Sequence, residues 1–462
     1  MTASAHVFDP TLLREYDIRG IVGSTLFEAD ARAIGHAFGT MVVAAGGRKV
    51  CLGYDGRLSS PSLAEATSAG LQAAGLEVLL IGLGATPMMY FAVHQLGADG
   101  GVMITGSHNP PDYNGFKMML GTKPFYGDQI KELGLIAGAG DFTYGAGRPT
   151  PVDVFGAYID RLAADYHGTR PLSVVWDSGN GSAGPAMEAL VARLPGRHTC
   201  LFAAVDGNFP NHHPDPTEPH NLEDLIRTVT EGGYELGIGF DGDGDRIGVV
   251  DGEGRIVYGD QILQILAADL LARHPGSTII ADVKTSQSFF DEVARLGGVP
   301  LMWKTGHSLV KAKMSEVGSP LAGEMSGHIF YKDGFYGHDD ALYVAVRLLD
   351  ILARGAVTMT GLKDAMPVAF NTPEIRFDCP ETRKFGAIAE VKANLAAEGA
   401  EVDDIDGVRV KTADGWWLAR ASNTQAVLVV RAEASSPEGL ERLKATVREQ
   451  LGRVGIEAPA GF

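Results

Sequence analysis

Residues 49–82, KVCLGYDGRLSSPSLAEATSAGLQAAGLEVLLIG, open on an apolar run and place Asp55 near its end. A small, polar turn follows, then an amphipathic stretch, then a second apolar run. The same grammar returns twice. Residues 172–194, LSVVWDSGNGSAGPAMEALVARL, followed by TCLFAAVDG, carry Asp177 at the equivalent place. Residues 277–306, STIIADVKTSQSFFDEVARLGGVPLMWKTG, carry Asp282. The three aspartates lie roughly 120 and 105 residues apart, a separation within the size range of small domains. Strand–helix–strand units of this kind imply parallel sheets with helices packed on them. The pattern predicts three related α/β domains.

The last hundred residues read differently. GVRVK at 407–411, the turn ADG, WWLARAS at 416–422 and AVLVVRAEA at 426–434 suggest successive strands, and 436–451 suggests a helix. That order predicts an α+β domain. Polar or Pro-rich stretches near 152, 255 and 367 divide the chain into 1–152, 153–255, 256–367 and 368–462. The expected fold class is three similar mixed α/β domains plus a C-terminal α+β domain around a central cleft.

Bulk composition bounds the function. The chain has 462 residues, 45% hydrophobic and 21% charged, ordinary values for a soluble globular protein. Its formal net charge of −18 argues against nucleic acid or an anionic membrane as partner. A small anionic substrate remains open, provided that basic residues gather locally. Three cysteines without metal-ligand spacing predict a reducing compartment and no disulfide framework. The start, MTASAHVFDP, has no signal-peptide pattern, and the apolar stretch 262–272 is short and holds Asp269. The expected location is the cytoplasm.

Four stretches carry chemistry. In GIGFDGDGDRIGVVDGEG at 237–254, Asp241, Asp243 and Asp245 alternate with glycines directly after an apolar strand. Three carboxylates this close repel one another unless a cation sits among them, and oxygen-only ligands suit a hard cation. A Ca²⁺ loop of the EF-hand type fails on spacing, because Arg246 and Gly252 stand where Gly and Glu belong. Mg²⁺ with an open position is the expectation. Arg246 serves either a phosphoryl group or a salt bridge to the same aspartates. In TGSHNPPDYNGFK at 105–117, Ser107 is a potential nucleophile. His108 is adjacent, which ordinarily points the two side chains apart, and Lys117 lies where a loop could fold it back. A serine carrying a phosphoryl group beside Mg²⁺ and a lysine explains the set. In LAGEMSGHIF at 321–330, Glu324 and Ser326 face one side of an extended loop, as sugar-hydroxyl ligands would, and His328 comes next. MWKTGHS at 302–308 adds Lys304 and His307. In LARASNTQAVLVVR at 418–431, Arg420, Ser422, Asn423 and Thr424 form a cradle suited to a phosphate dianion. No P-loop occurs, Pro87 breaks a dinucleotide fingerprint at 82–87, and no Cys/His set has zinc spacing.

Together these stretches resemble the α-D-phosphohexomutase family, nearest its bacterial phosphomannomutase/phosphoglucomutase branch. VDGNFPNHHPDP at 205–216 and REYDIRG at 14–20 are also similar to that family. The resemblance implies that Ser107 is a phosphoserine and that Asp241, Asp243 and Asp245 bind Mg²⁺ with an oxygen on Ser107. It implies that Glu324 and Ser326 hold the sugar O3 and O4, and that Arg420, Ser422, Asn423 and Thr424 hold the non-reacting phosphate. Tyr16, Lys284 and His307 join the substrate contacts, while Arg19, His108, Lys117, Arg246 and His328 join the catalytic set. The implied reaction passes through a hexose 1,6-bisphosphate, with glucose 1,6-bisphosphate as activator, and the implied state is a monomer acting on phosphosugars. One departure stands out: Gln425 and Ala426 follow Thr424, where the family often has an acidic or hydroxyl residue and then Pro. Phosphoglucosamine mutase, a Mg²⁺-dependent phosphomonoesterase and a non-catalytic binding module are the rival readings. The first usually carries Gln where Met325 stands, the second releases free phosphate, and the third would lack the nucleophile.

Overall fold

The computed structural model describes residues 5–422 and 425–458. Three of its sheets share one plan. In the first, Lys49–Tyr54 runs parallel between Glu77–Leu83 and Gly100–Ile104, and Tyr113–Leu120 returns antiparallel beside the latter. In the second, Leu172–Asp177 lies between Gly196–Leu201 and Leu236–Phe240, with Ile247–Asp251 antiparallel beyond. In the third, Thr278–Asp282 lies between Val299–Trp303 and Leu321–Gly323, with Ile329–Tyr331 antiparallel beyond. Parallel neighbours need a crossover, supplied by the helices Ser60–Ala73, Gly184–Val191 and Gln287–Arg295. Pro87 sits in the first turn of the helix Thr86–Leu96, where its missing N–H does no harm.

The repeated aspartate has a structural reason. Asp55, Asp177 and Asp282 are buried at the carboxyl end of each central strand. Their side chains accept from Arg57 N (3.0 Å), Gly179 N (2.8 Å) and Thr285 Oγ1 (2.8 Å), so each fixes the loop that leaves the sheet. Loops at the carboxyl ends of parallel strands are where open α/β sheets bind ligands.

The fourth sheet is antiparallel, in the order Phe370–Asn371, Val427–Ala434, Gly415–Ala421, Val408–Lys411, Val402–Asp403, with Ile375–Asp378 also pairing Val427–Ala434. Helices Glu381–Ala397 and Pro437–Arg453 pack on it. One hydrophobic cluster runs through the first three units, from Phe91 through Trp176 to Leu263 and Tyr343. The fourth unit has its own, around Val391, Trp417 and Val447. It meets the third where Val283 packs on Trp416 and Leu418, and where Arg409 donates to the Val283 and Thr285 carbonyls at 2.6 and 2.8 Å. No helix of the described residues is long and apolar enough to cross a membrane.

Candidate active site

The loop after Gly100–Ile104 is held in a strained shape. Ser107 has φ 50°, in the left-handed region that non-glycine residues seldom enter. Its N–H donates to Thr105 Oγ1 at 2.8 Å. Its carbonyl accepts from Arg57 Nη2 at 2.7 Å, and the same guanidinium donates to the carbonyls of Asn109, Pro110 and Tyr113. Arg57 is 1% exposed, 3.3 Å from Asp55. Sequence reasoning missed it; its one signal was its place two residues after the repeated aspartate. The twist at Ser107 also corrects the expectation for His108. The two side chains do not diverge: His108 Nδ1 is 3.3 Å from Ser107 Oγ. Burial, then the charges of Arg246, Arg19 and Lys117, hold the His108 imidazole well below its usual range. Lys117 does not fold back within a loop either. It returns on the antiparallel strand Tyr113–Leu120, opposite Met103.

The second unit delivers the aspartates to this point. Asp241, Asp243 and Asp245 are fully buried after the strand Leu236–Phe240. Gly242 is required by proximity, since a Cβ there would lie 2.5 Å from the Ser107 carbonyl oxygen. Ser107 Oγ donates to Asp241 Oδ2 at 3.0 Å. Lys117 Nζ donates to Asp243 Oδ2 at 2.8 Å and also to Asp245 Oδ2. Burial, with the neighbouring Asp243 and Asp245, pushes the Asp241 carboxyl well up. Burial would raise Asp243 too, but the Lys117 ammonium reverses this and holds it down. For Lys117 itself, burial disfavours the charge and the carboxylates overcome it, so its pKa is raised. Among the described residues Asp243 Oδ1 and Asp245 Oδ1 have no hydrogen-bond partner, and the three side chains each offer an oxygen within 4.8 Å of the others. Crowded carboxylates with unused oxygens fit a hard divalent cation such as Mg²⁺.

Arg246 resolves the alternative left open by spacing. Its guanidinium forms no ion pair among the described residues; Nε donates to His328 Nε2 at 3.0 Å. The other nitrogen of His328, Nδ1, lies 3.1 Å from Asp339 Oδ2 and 3.6 Å from Asp245 Oδ1. His307 stacks on His328 with ring centroids 5.6 Å apart. Burial, then Lys311, holds the His307 imidazole well below its usual range. Glu324 is buried, accepts from Gly306 N, and has its carboxyl raised by burial. Lys304 is exposed and lies outside the cleft.

The fourth unit closes the circle. Arg420 pairs with Asp406 at 3.0 Å. Lys284 of the third unit reaches Glu374 of the fourth at 2.8 Å, and Glu374 also pairs with Arg376. Ser422 Oγ accepts from Gln425 N at 3.2 Å, and the buried Lys384 donates to the carbonyls of Ser422 and Gln425. Gln425 Oε1 accepts from Arg376 at 3.1 Å, so this departure from the family pattern gives the turn a further tie. Asn423 and Thr424 lie outside the described residues.

Tyr16, Arg19, Ser107, His108, Lys117, Arg246, Lys284, His307, Glu324, Ser326, His328, Arg420 and Ser422 thus line one cavity of about 160 Å³, with the three aspartates beneath it. Arg19 pairs with Asp17 at 2.7 Å and donates to the Gly106 carbonyl. Seven arginines and lysines line this cavity against three acids, Asp17, Glu324 and Glu374. An acidic chain has gathered its cations where an anion would sit. A second cavity of about 570 Å³ adjoins it, sharing His108, Arg246, Lys284, Ser326, Glu374 and Arg376. Besides Arg57, sequence reading missed Asp339, Glu374 and Arg376. Asp339 acts on His328 and Glu374 on Lys284, in other segments, while Arg376 joins its near neighbour Glu374 to Gln425, so no motif marked them.

Family models of the phosphoglucomutase/phosphomannomutase alpha/beta/alpha domains I, II and III match residues 10–141, 156–254 and 258–369, and the C-terminal domain model matches 374–450. The chain belongs to the phosphoglucomutase/phosphomannomutase family. Among individual proteins it is similar to the phosphomannomutase/phosphoglucomutase of Pseudomonas putida, 46% identical over 452 residues and 98% of each chain. It is 44% identical to a phosphoglucomutase of Neisseria gonorrhoeae over 94% of this chain and 95% of that one. The crystal structure of a phosphoglucomutase/phosphomannomutase family protein from Burkholderia thailandensis superposes with a TM-score of 0.93 at 46% identity, covering 99% of this chain and 100% of that one.

Proposed function

We propose that the protein interconverts hexose 1-phosphate and hexose 6-phosphate, of glucose and mannose, through phospho-Ser107 and a hexose 1,6-bisphosphate. The observation that carries this reading is the meeting of Ser107 Oγ, three buried carboxylates and Lys117 at the floor of a cationic cleft. The phosphorus–oxygen bond to Ser107 breaks as the phosphoryl group passes to the free hydroxyl of the hexose monophosphate, whose proton leaves to a nearby base. The bisphosphate turns over, its other phosphoryl group returns to Ser107 Oγ, and a proton restores the freed hydroxyl. Lys117 and Arg246 stabilise the charge on the transferring group. Because its carboxylate neighbours keep Lys117 an ammonium, proton transfer is assigned to His328, with His108 and Arg19 orienting the serine loop. Mg²⁺ held by Asp241, Asp243, Asp245 and an oxygen on Ser107 would add positive charge at the same point.

Glu324 and Ser326 are assigned to O3 and O4, whose configuration glucose and mannose share, so the site accepts both. Tyr16, Lys284, His307, Arg420, Ser422, Asn423 and Thr424 are assigned to the non-reacting phosphate and its sugar. The division at residues 152, 255 and 367 belongs to this reading, since each unit then contributes one loop. So do the cytoplasmic monomer and the activator, glucose 1,6-bisphosphate.

Steady-state kinetics test the reading. With Mg²⁺ and a trace of glucose 1,6-bisphosphate, glucose 1-phosphate and mannose 1-phosphate are expected to isomerise, and Ser107→Ala to abolish both reactions. Chelation by EDTA is expected to stop turnover and added Mg²⁺ to restore it. Release of free phosphate without isomerisation would instead make the protein a phosphomonoesterase.

A further inference from the structure

A third cavity, of about 220 Å³, lies where the first and third units meet, and it shares no lining residue with the catalytic cleft. A single water needs about 10–15 Å³ of such space, so the cavity has room for a small molecule. Its wall runs against the character of the chain. In a protein with 57 Asp and Glu residues, none of those described lines it.

Three lysines do. Lys123 comes from the short strand after Tyr113–Leu120, Lys311 from the helix His307–Val317, and Lys332 from the residue following Ile329–Tyr331. Lys311 is neutralised by Asp339, 2.9 Å away. The ammonium groups of Lys123 and Lys332 form no ion pair or hydrogen bond among the described residues. The net positive charge of the cavity therefore comes from these two.

Aromatic surface supplies a second, independent observation: Tyr90, Tyr336 and His338 line the same cavity. The His338 ring is 3% exposed, and its two nitrogens are buried without a hydrogen-bond partner among the described residues. The Asp340 carboxylate stands 3.9 Å off, beyond hydrogen-bond range. The ring is fixed by Tyr336, which stacks on it at 5.7 Å with planes 1° apart, and by Tyr90 at 5.2 Å. Two unpaired ammonium groups, with the aromatic surface of Tyr90, Tyr336 and His338 on the same wall, suit a phosphate carrying a small organic body.

We propose that this cavity is a second anion site, taking a small phosphate monoester through Lys123 and Lys332.

Equilibrium dialysis of the full chain against labelled inorganic phosphate, and separately against phenyl phosphate, tests this. The comparison is with the Lys123→Ala/Lys332→Ala double variant. Both lysines are exposed, so the variant is expected to keep its melting temperature and its turnover. The readout is the difference between the two proteins, which does not depend on what the cleft binds. One fewer phosphate per chain in the variant, or a second-site affinity weaker by about tenfold or more, is expected. Tighter binding of phenyl phosphate than of inorganic phosphate would assign the aromatic wall to the ester's body, and equal binding would assign the site to the phosphate group alone. Identical isotherms for the two proteins, with either probe, would overturn the proposal. Lys332→Glu is the second variant: reversal of the charge is expected to remove the site altogether.

Discussion

Arg57 touches no reacting atom, yet one guanidinium gathers four carbonyls of the serine loop. The left-handed backbone at Ser107 has to be imposed by its surroundings, and this side chain is the largest single constraint on it. Arg57→Ala leaves Asp55 without its buried partner, a loss of roughly 3–5 kcal/mol that thermal unfolding would register. Arg57→Lys keeps the charge, but an ammonium cannot present the planar fork that reaches four acceptors. Its kcat is expected to fall about tenfold or more while the protein stays folded. Wild-type turnover in the lysine variant would show that the loop holds itself. The residues that sequence reading singled out carry chemistry in compact motifs, and apart from Lys304 the structure brings those within its described range to one cleft. Arg57, Asp339 and Glu374 were invisible because their work is done on backbone groups, or on side chains of other elements. A motif records what a residue is, and these residues matter for what they are next to.

The helix Ala341–Arg354 starts on Asp340, whose carboxylate accepts from Tyr343 N and from the Tyr158 hydroxyl, both at 2.9 Å. Burial outweighs those bonds and pushes its pKa up to about 7, from an ordinary 3.8. An acid with a raised folded pKa binds its proton more tightly when folded. The resulting stability is complete below about pH 3.8 and is lost as pH rises through about 7. Asp340→Asn keeps the cap without the titration. Its melting temperature relative to wild type is therefore expected to improve between about pH 5 and pH 8, by the equivalent of at most roughly 4 kcal/mol. A difference that is flat in pH would show that Asp340 titrates normally. At this scale the three-fold repeat was legible because parallel strands are apolar runs bounded by turns. The strand Ile329–Tyr331 was not, since three residues carry too little alternation to register. The helix Glu381–Ala397 also escaped notice: its buried positions, such as Ala387, Val391 and Leu395, are spread thinly among exposed polar ones.

Over the whole molecule, two electrostatic scales oppose each other. A net charge of −18 repels a phosphosugar at long range, while seven basic residues in the cleft draw it in. The cleft is expected to dominate the encounter, so kcat/KM should fall as salt rises from about 20 to 200 mM, where the screening length shrinks to about 7 Å. A rise instead would mean that overall charge governs approach. The hydrophobic packing is divided as unequally as the charge. One continuous cluster joins the first three units, alongside a second cluster of the first unit's own, and the fourth keeps its own around Trp417. Inheritance can treat the two parts differently. A substitution in the shared cluster, as at Trp176, is felt by three units at once, whereas the segment bearing Arg420 and Ser422 can be altered, or exchanged with that of a relative, without reopening the common interior. Selection for a tighter or looser hold on a phosphate has a place to act that leaves the reacting centre alone.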